Sequence, residues 1–230
     1  MESGGGRKRI SVATGILKAN DRMAEENRRR FDAAGVYAVD LIGGPGAGKT
    51  ALLEATLPRL GPDVRVAVVV GDVATTRDAE RISAFDVPVV QITTETFGGA
   101  CHLEASTVRQ ALDGVDLDGL DLLFVENVGN LVCPSHFDVG HHARVVVLSV
   151  TEGEDKPLKY PLAFRVSDAA VISKVDLIPH VGVDMDALRA NVRRVNPKMD
   201  RLELSARSGE GVDAWLGWLK ERLGARSRKV

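Results

Sequence analysis

Residues 43–50 read Gly43-Gly44-Pro45-Gly46-Ala47-Gly48-Lys49-Thr50, the full G-x-x-x-x-G-K-[ST] pattern of a phosphate-binding loop. The flanking sequence supplies the context such a loop needs. Residues 36–42 are a largely apolar run that reads as a buried strand, and residues 49–57 place Leu52, Leu53 and Leu57 as the apolar face of a helix. The glycines, with Ala47 among them, let successive backbone N–H groups turn inward on the α- and β-phosphates. Lys49 can reach the β- and γ-phosphates, and the Thr50 hydroxyl can ligate Mg²⁺. The helix N-terminus adds partial positive charge beneath them. The segment predicts a bound nucleoside triphosphate.

The alternation continues along the chain. Further strands are expected at 64–70, 88–92, 122–125, 145–150, 169–172 and 202–204. Helices are expected between and after them at 76–84, 102–112, 157–164, 185–195 and 212–223. This order implies an α/β fold, a mostly parallel sheet flanked by helices on both faces. The strands are valine-rich and nearly all apolar, as strands buried on both sides should be. Residues 16–34 read as a charged helix with few apolar positions, Ile16, Leu17, Met23 and Phe31, which packs on the sheet edge or a partner. The expected organisation is a disordered tail at 1–15, an N-terminal helix at 16–34 and one domain at 35–225.

Bulk properties narrow the class. The chain has 230 residues, 44% of them hydrophobic, and a net charge of -2. That suits one globular domain and argues against a nucleic-acid binder. No apolar run approaches the ~18 residues of a membrane span, and Met1 to Arg9 is basic without the apolar core of a secretory signal. Two cysteines do not make a disulfide framework. They suit a reducing cytoplasm, as buried thiols or metal ligands.

Three segments extend the nucleotide machinery. Asp72, in Gly71-Asp72-Val73-Ala74-Thr75-Thr76-Arg77-Asp78, lies at the carboxyl end of a strand, where it can face Mg²⁺ or act as a turn residue. Glu126 ends the apolar run 122–125, and Gly129 follows three residues later. An acid there can bind Mg²⁺, and a glycine N–H can approach the γ-phosphate closely. Lys49, Glu126 and Gly129 are thus the candidate catalytic set. Ser173-Lys174-Val175-Asp176 resembles the guanine element N-K-x-D. Asp176 would accept from guanine N1 and the 2-amino group, which adenine cannot match, and Lys174 would lie along the base. Ser205 and Ala206 would pack over the base. These residues favour GTP and a P-loop GTPase (G domain) reading.

Cys101 and His102 open an expected helix, and Cys133 lies four residues past Gly129. Two cysteines and a histidine are soft or borderline ligands suited to Ni²⁺ or Zn²⁺. The alternative is that the cysteines are buried structural residues. A helix N-terminus would favour the Cys101 thiolate. His136, His141 and His142 are expected to be solvated.

Together these segments resemble the hydrogenase nickel-incorporation GTPases of the HypB family. The resemblance rests on Asn20-Asp21-Arg22-Met23-Ala24-Glu25-Glu26-Asn27, the phosphate loop and the segment from Gly71 to Asp78. It rests also on Gly98-Gly99-Ala100-Cys101-His102-Leu103, Glu126-Asn127-Val128-Gly129-Asn130-Leu131-Val132-Cys133-Pro134 and Thr151-Glu152-Gly153-Glu154-Asp155-Lys156-Pro157-Leu158-Lys159-Tyr160-Pro161. It covers residues 10–223. It implies a GTPase that dimerises around GTP and helps deliver nickel to [NiFe]-hydrogenase large-subunit precursors, working with a HypA-like nickel chaperone. It also implies that Cys101, His102 and Cys133 form the metal site. Three departures stand out. Met1 to Ile10 has neither a Cys-rich nor a His-rich stretch, residues 104–110 hold no histidine, and Ser173 replaces the usual Asn. The rival readings are a urease-type nickel-insertion GTPase, a P-loop small-molecule kinase and a non-enzymatic metal buffer. An Arg-rich lid over the phosphates, which a kinase of this size would need, is not seen.

Overall fold

A computed structural model of the chain describes residues 12–73, 75–95 and 101–227. Of the tail expected at 1–15, residues 1–11 lie outside them, as does the Gly98-Gly99-Ala100 approach to Cys101, whereas residues 12–15 are not tail but the first turn of a helix. Seven strands form one sheet: β1 (Tyr37–Gly43), β2 (Val66–Asp72), β3 (Val89–Thr93), β4 (Leu122–Glu126), β5 (Ala143–Ser149), β6 (Ala169–Ser173) and β7 (Asp200–Leu204). Their order is β3-β2-β4-β1-β5-β6-β7, and every neighbouring pair is parallel. The valine-rich runs demand cover on both faces, and the helices between strands supply it.

The helices are α1 (Val12–Ala34), α2 (Lys49–Thr56), α3 (Arg77–Ser83), α4 (Ala105–Ala111), α5 (Lys156–Lys159), α6 (Pro161–Arg165), α7 (Met185–Val195) and α8 (Val212–Ser227). Side chains alternate along β1: Val39 and Leu41 pack with Leu52, Leu53 and Trp215 from α2 and α8. Ala38 faces the opposite layer with Phe31 of α1 and Val108 of α4. Ile42 joins Phe164, Leu188 and Val192 of α6 and α7. This period of two places a helix layer on each face of the sheet.

Two expectations need adjustment. The helix expected from 157 breaks in two because Tyr160, between α5 and α6, has non-helical φ −123° and ψ 54° ahead of Pro161. The helix expected from 102 begins only at Ala105, where Glu104 and Thr107 form a reciprocal cap. Cys101 and His102 therefore precede the helix, so its N-terminal charge is not theirs to use.

Candidate functional site

The phosphate loop follows β1 at the carboxyl edge of the sheet. Gly46 and Gly48 take left-handed φ values of 71° and 99°, which L side chains rarely adopt. A Cβ on Gly43 would come 2.6 Å from the Val147 oxygen of β5, so the loop base tolerates no side chain there. Lys49 Nζ donates to the Gly43 carbonyl at 3.3 Å, and burial lowers its pKa while Glu126 opposes that shift. Ser173, in place of the usual Asn, is buried and its hydroxyl donates to the Ala47 carbonyl; Lys174 Nζ donates to the Gly46 carbonyl at 2.7 Å. Ser173 and Lys174 thus tie the segment after β6 to the phosphate loop.

Lys49, Thr50, Asp72, Glu126 and Gly129 line one cleft of about 400 Å³. Thr50 Oγ1 donates to Glu126 Oε1 at 2.7 Å. The other Glu126 oxygen is buried without a hydrogen-bond partner. Burial drives the Glu126 carboxyl up to about 7, against the pull of the Lys49 charge and the Thr50 hydrogen bond. A hydroxyl, an unpartnered carboxylate oxygen and Asp72 make a hard oxygen donor set of the kind Mg²⁺ takes. Asp72 also accepts from the Val73 N–H at 2.7 Å and from the Thr75 hydroxyl, so it turns the chain as well as facing the cleft. Gly129 abuts the loop: a Cβ there would meet Pro45 Cα at 3.1 Å.

Sharing Gly48 and Lys174 with this cleft is a second cavity of about 240 Å³, lined also by Ser173, Asp176, Ser205 and Ala206. Its place beside the phosphate cleft suits a base. Sequence reasoning missed Asp78 and Arg81, which line the first cleft from α3. Arg81 is engaged by both Glu54 oxygens, at 2.8 and 2.6 Å, and by Asp78 at 2.9 Å. The signal was in the sequence, as charges at helical spacing after Asp72, but nothing there showed which way they face.

Cys101, His102 and Cys133 meet beside the cleft. Their ligand atoms all lie within 4.8 Å of one another, though Cys101 and Cys133 are 32 apart in sequence. The two cysteines are joined as a disulfide, with Cα atoms 6.3 Å apart, where separate thiols were expected. The same proximity serves a shared metal once the pair is reduced, since a metal needs thiolates. His102 packs on Phe137 with ring centroids 3.8 Å apart. Its Nε2 is buried without a hydrogen-bond partner, 3.9 Å from a Glu104 oxygen, and burial lowers its pKa toward the neutral, ligating form.

The other histidines correct an expectation. His136 is exposed, but His141 and His142 are not solvated. His142 Nδ1 accepts from the Ala38 N–H at 2.9 Å, and His141 is packed against Asp138 at 3.2 Å. The segment leads directly into β5, and His142 lies between Ala38 of β1 and Asp32 of α1.

A nucleotide-binding domain model described as CobW/HypB/UreG matches residues 38–203. The hydrogenase maturation factor HypB of Azotobacter chroococcum mcd 1 is 49% identical over 221 residues, spanning 95% of this chain and 71% of that protein. The chain belongs to the HypB family. Among solved HypB structures, that of Archaeoglobus fulgidus has a TM-score of 0.83 at 39% identity, covering 90% of this chain and 99% of that one. HypB from Helicobacter pylori, solved in complex with nickel, has a TM-score of 0.84 at 36% identity, covering 90% and 96%. HypB-family proteins are P-loop GTPases, in keeping with the cleft described above.

Proposed function

We propose that this chain is a GTP-gated metallochaperone that delivers nickel during the maturation of [NiFe]-hydrogenase. One observation carries the reading: three soft or borderline ligands, Cys101, His102 and Cys133, converge within 4.8 Å beside a complete phosphate loop. Membership of the HypB family supports the client. Nickel is the cargo, and Zn²⁺ suits the same ligands. Handling metal through free thiolates requires a reducing compartment, the cytoplasm.

In the nucleotide cleft, the Lys49 ammonium holds the β- and γ-phosphates and the Gly129 N–H donates to the γ-phosphate. Asp176 accepts from the guanine edge, with Lys174, Ser205 and Ala206 around the base. Thr50, Asp72 and Glu126 would hold Mg²⁺, which supplies positive charge to the phosphates when bound. Water attacks the γ-phosphorus, the bond to the β–γ bridging oxygen breaks, and GDP and phosphate form. Ordering of residues 126–129 by the γ-phosphate moves Cys133 relative to Cys101 and His102. The GTP form pairs as a homodimer, a HypA-like nickel chaperone loads it, and the hydrogenase large-subunit precursor receives the metal after hydrolysis.

Linkage makes the gate measurable, because nickel must change nucleotide affinity by the factor by which nucleotide changes nickel affinity. Calorimetry on the reduced protein should give different affinities for GDP and a non-hydrolysable GTP analogue with and without Ni²⁺. Equal affinities in every combination would sink the gate. Phosphate release no faster than background at saturating GTP would reduce the protein to a metal buffer.

A further inference from the structure

The Glu126–Cys133 segment joins the two sites in sequence, but the physical link runs through space. We propose that Asn127 and Asn130 are the positioning residues that transmit nucleotide state to the metal loop. The inference rests on the gated-metallochaperone reading above.

Asn127 is fully buried directly after Glu126. Its Oδ1 accepts the Leu103 N–H at 3.0 Å and the Val128 N–H at 3.1 Å, while its Nδ2 donates to Asp40 Oδ1 at 3.2 Å. Asn130 follows Gly129 and bridges Gly43, the first residue of the phosphate loop. Its Oδ1 accepts the Val132 N–H at 2.8 Å, and its Nδ2 donates to the Cys101 carbonyl at 3.3 Å. The two amides therefore grip the backbone on either side of His102, at Cys101 and at Leu103. Asn127 directly follows Glu126 and Asn130 directly follows Gly129, the two residues assigned above to the γ-phosphate end of the nucleotide.

Two further contacts bind the same parts together. Leu103 is pressed on β2 beside Asp72, where a Cβ on Gly71 would come 2.8 Å from the leucine side chain. Asp40 also accepts from Arg144 Nε at 2.8 Å, and Arg144 in turn donates to the carbonyl of Phe137, whose ring covers His102. An amide carries its donor and its acceptor on separate atoms of one short side chain, which lets each asparagine hold two backbone or side-chain partners at once. A backbone shift at Gly129 carries both amides with it and so displaces Cys101 and Leu103 while Cys133 moves with its own loop.

The test is nickel titration of the reduced full-length protein, followed by the thiolate-to-nickel charge-transfer band, in GDP and in a non-hydrolysable GTP analogue. The wild type should show a nickel affinity ratio between the two nucleotides of roughly fivefold or more. Asn130→Asp keeps the acceptor for Val132 but replaces the donor to Cys101 with a carboxylate oxygen and adds a negative charge, for which Asn130→Ala is the control. It should bind nickel with a ratio within about twofold of one, as should Asn130→Ala. Asn130 is only half-buried, so these variants do not disturb the core as a change at Asn127 would. A wild-type ratio in both variants overturns the coupling role but leaves the gate standing. Loss of nickel binding in both nucleotides also overturns it, because the amide would then build the site itself. A ratio of one in the wild type overturns the gate, and this inference with it.

Discussion

Glu126 gives the nucleotide site a pH signature. Its carboxyl ordinarily titrates at 4.5, and burial raises it to about 7. Between those values the folded, nucleotide-free chain holds a proton that the unfolded chain has lost. Its contribution to stability is therefore complete below pH 4.5 and lost as pH rises to about 7. A shift of this size corresponds to about 3 kcal/mol. His141 runs the other way: burial, reinforced by Arg144, lowers it from 6.5 to about 4, so its contribution is present above pH 6.5 and lost on acidification toward 4. The two windows overlap, so the measurement is a difference. In urea unfolding, wild type relative to Glu126→Gln should lose about 3 kcal/mol as pH rises across the Glu126 window. Parallel curves would show that Glu126 does not titrate there. The base pocket makes a second residue-level prediction. Asp176→Asn should weaken GTP by roughly tenfold or more and admit xanthosine triphosphate, because the amide reverses one hydrogen bond to the base. An unchanged base preference in nucleotide titrations would remove Asp176 from the role.

At the scale of elements, β1 and β5 pair Asp40 with Arg144 in register, both buried in otherwise apolar strands. In the sequence each is a polar interruption; in the sheet they are one ion pair, with Nε and Oδ2 2.8 Å apart. Arg144→Leu would leave the Asp40 carboxylate buried with Asn127 and the His141 ring, 3.9 Å away, but without its guanidinium. It should cost about 3–5 kcal/mol in urea unfolding, and a loss under 1 kcal/mol would show that Asp40 is tolerated without its arginine. The N-terminal helix is joined to the same region. Asn27 Nδ2 donates to the carbonyls of Ala105 and Val139 at 2.8 and 3.2 Å, and Asn20 Oδ1 accepts the Ala105 N–H at 2.9 Å. The few apolar positions of α1 led to the expectation that it packs on the sheet edge or a partner. Its buried asparagines anchor it to the start of α4, just after the metal loop. Helix existence was legible from periodicity. These attachments were not, because a polar residue carries no mark of whether it faces water or a backbone group.

For the whole molecule, the phosphate cleft, base cavity and metal loop share the carboxyl edge of one parallel sheet. Ligand binding there stabilises the entire folded state by mass action. At a hundredfold excess over Kd, GTP with Mg²⁺ should add about 2.7 kcal/mol. For a chain of this size that raises Tm by roughly 5–10 °C. ATP at the same concentration should leave Tm within about 1 °C if the base cavity discriminates as Asp176 requires. Equal shifts by the two nucleotides would count against a guanine-specific site.

The sequence by itself determined the alternation of strands and helices, the phosphate loop and the base element. These signals are local: each is written in a few consecutive residues or in one repeating period. It also named the three metal-binding candidates, but it could not bring Cys101 to Cys133 or choose between metal ligands and buried thiols. Only the tertiary structure decided that those side chains converge. It also decided that His141 and His142 are packed rather than solvated, that Arg81 and Asp78 join the nucleotide cleft, and that Asn127 and Asn130 hold the backbone on both sides of His102. The reason is physical. A hydrogen bond between residues 24 or 29 positions apart depends on strand order and crossover, and no short pattern of residue types encodes either.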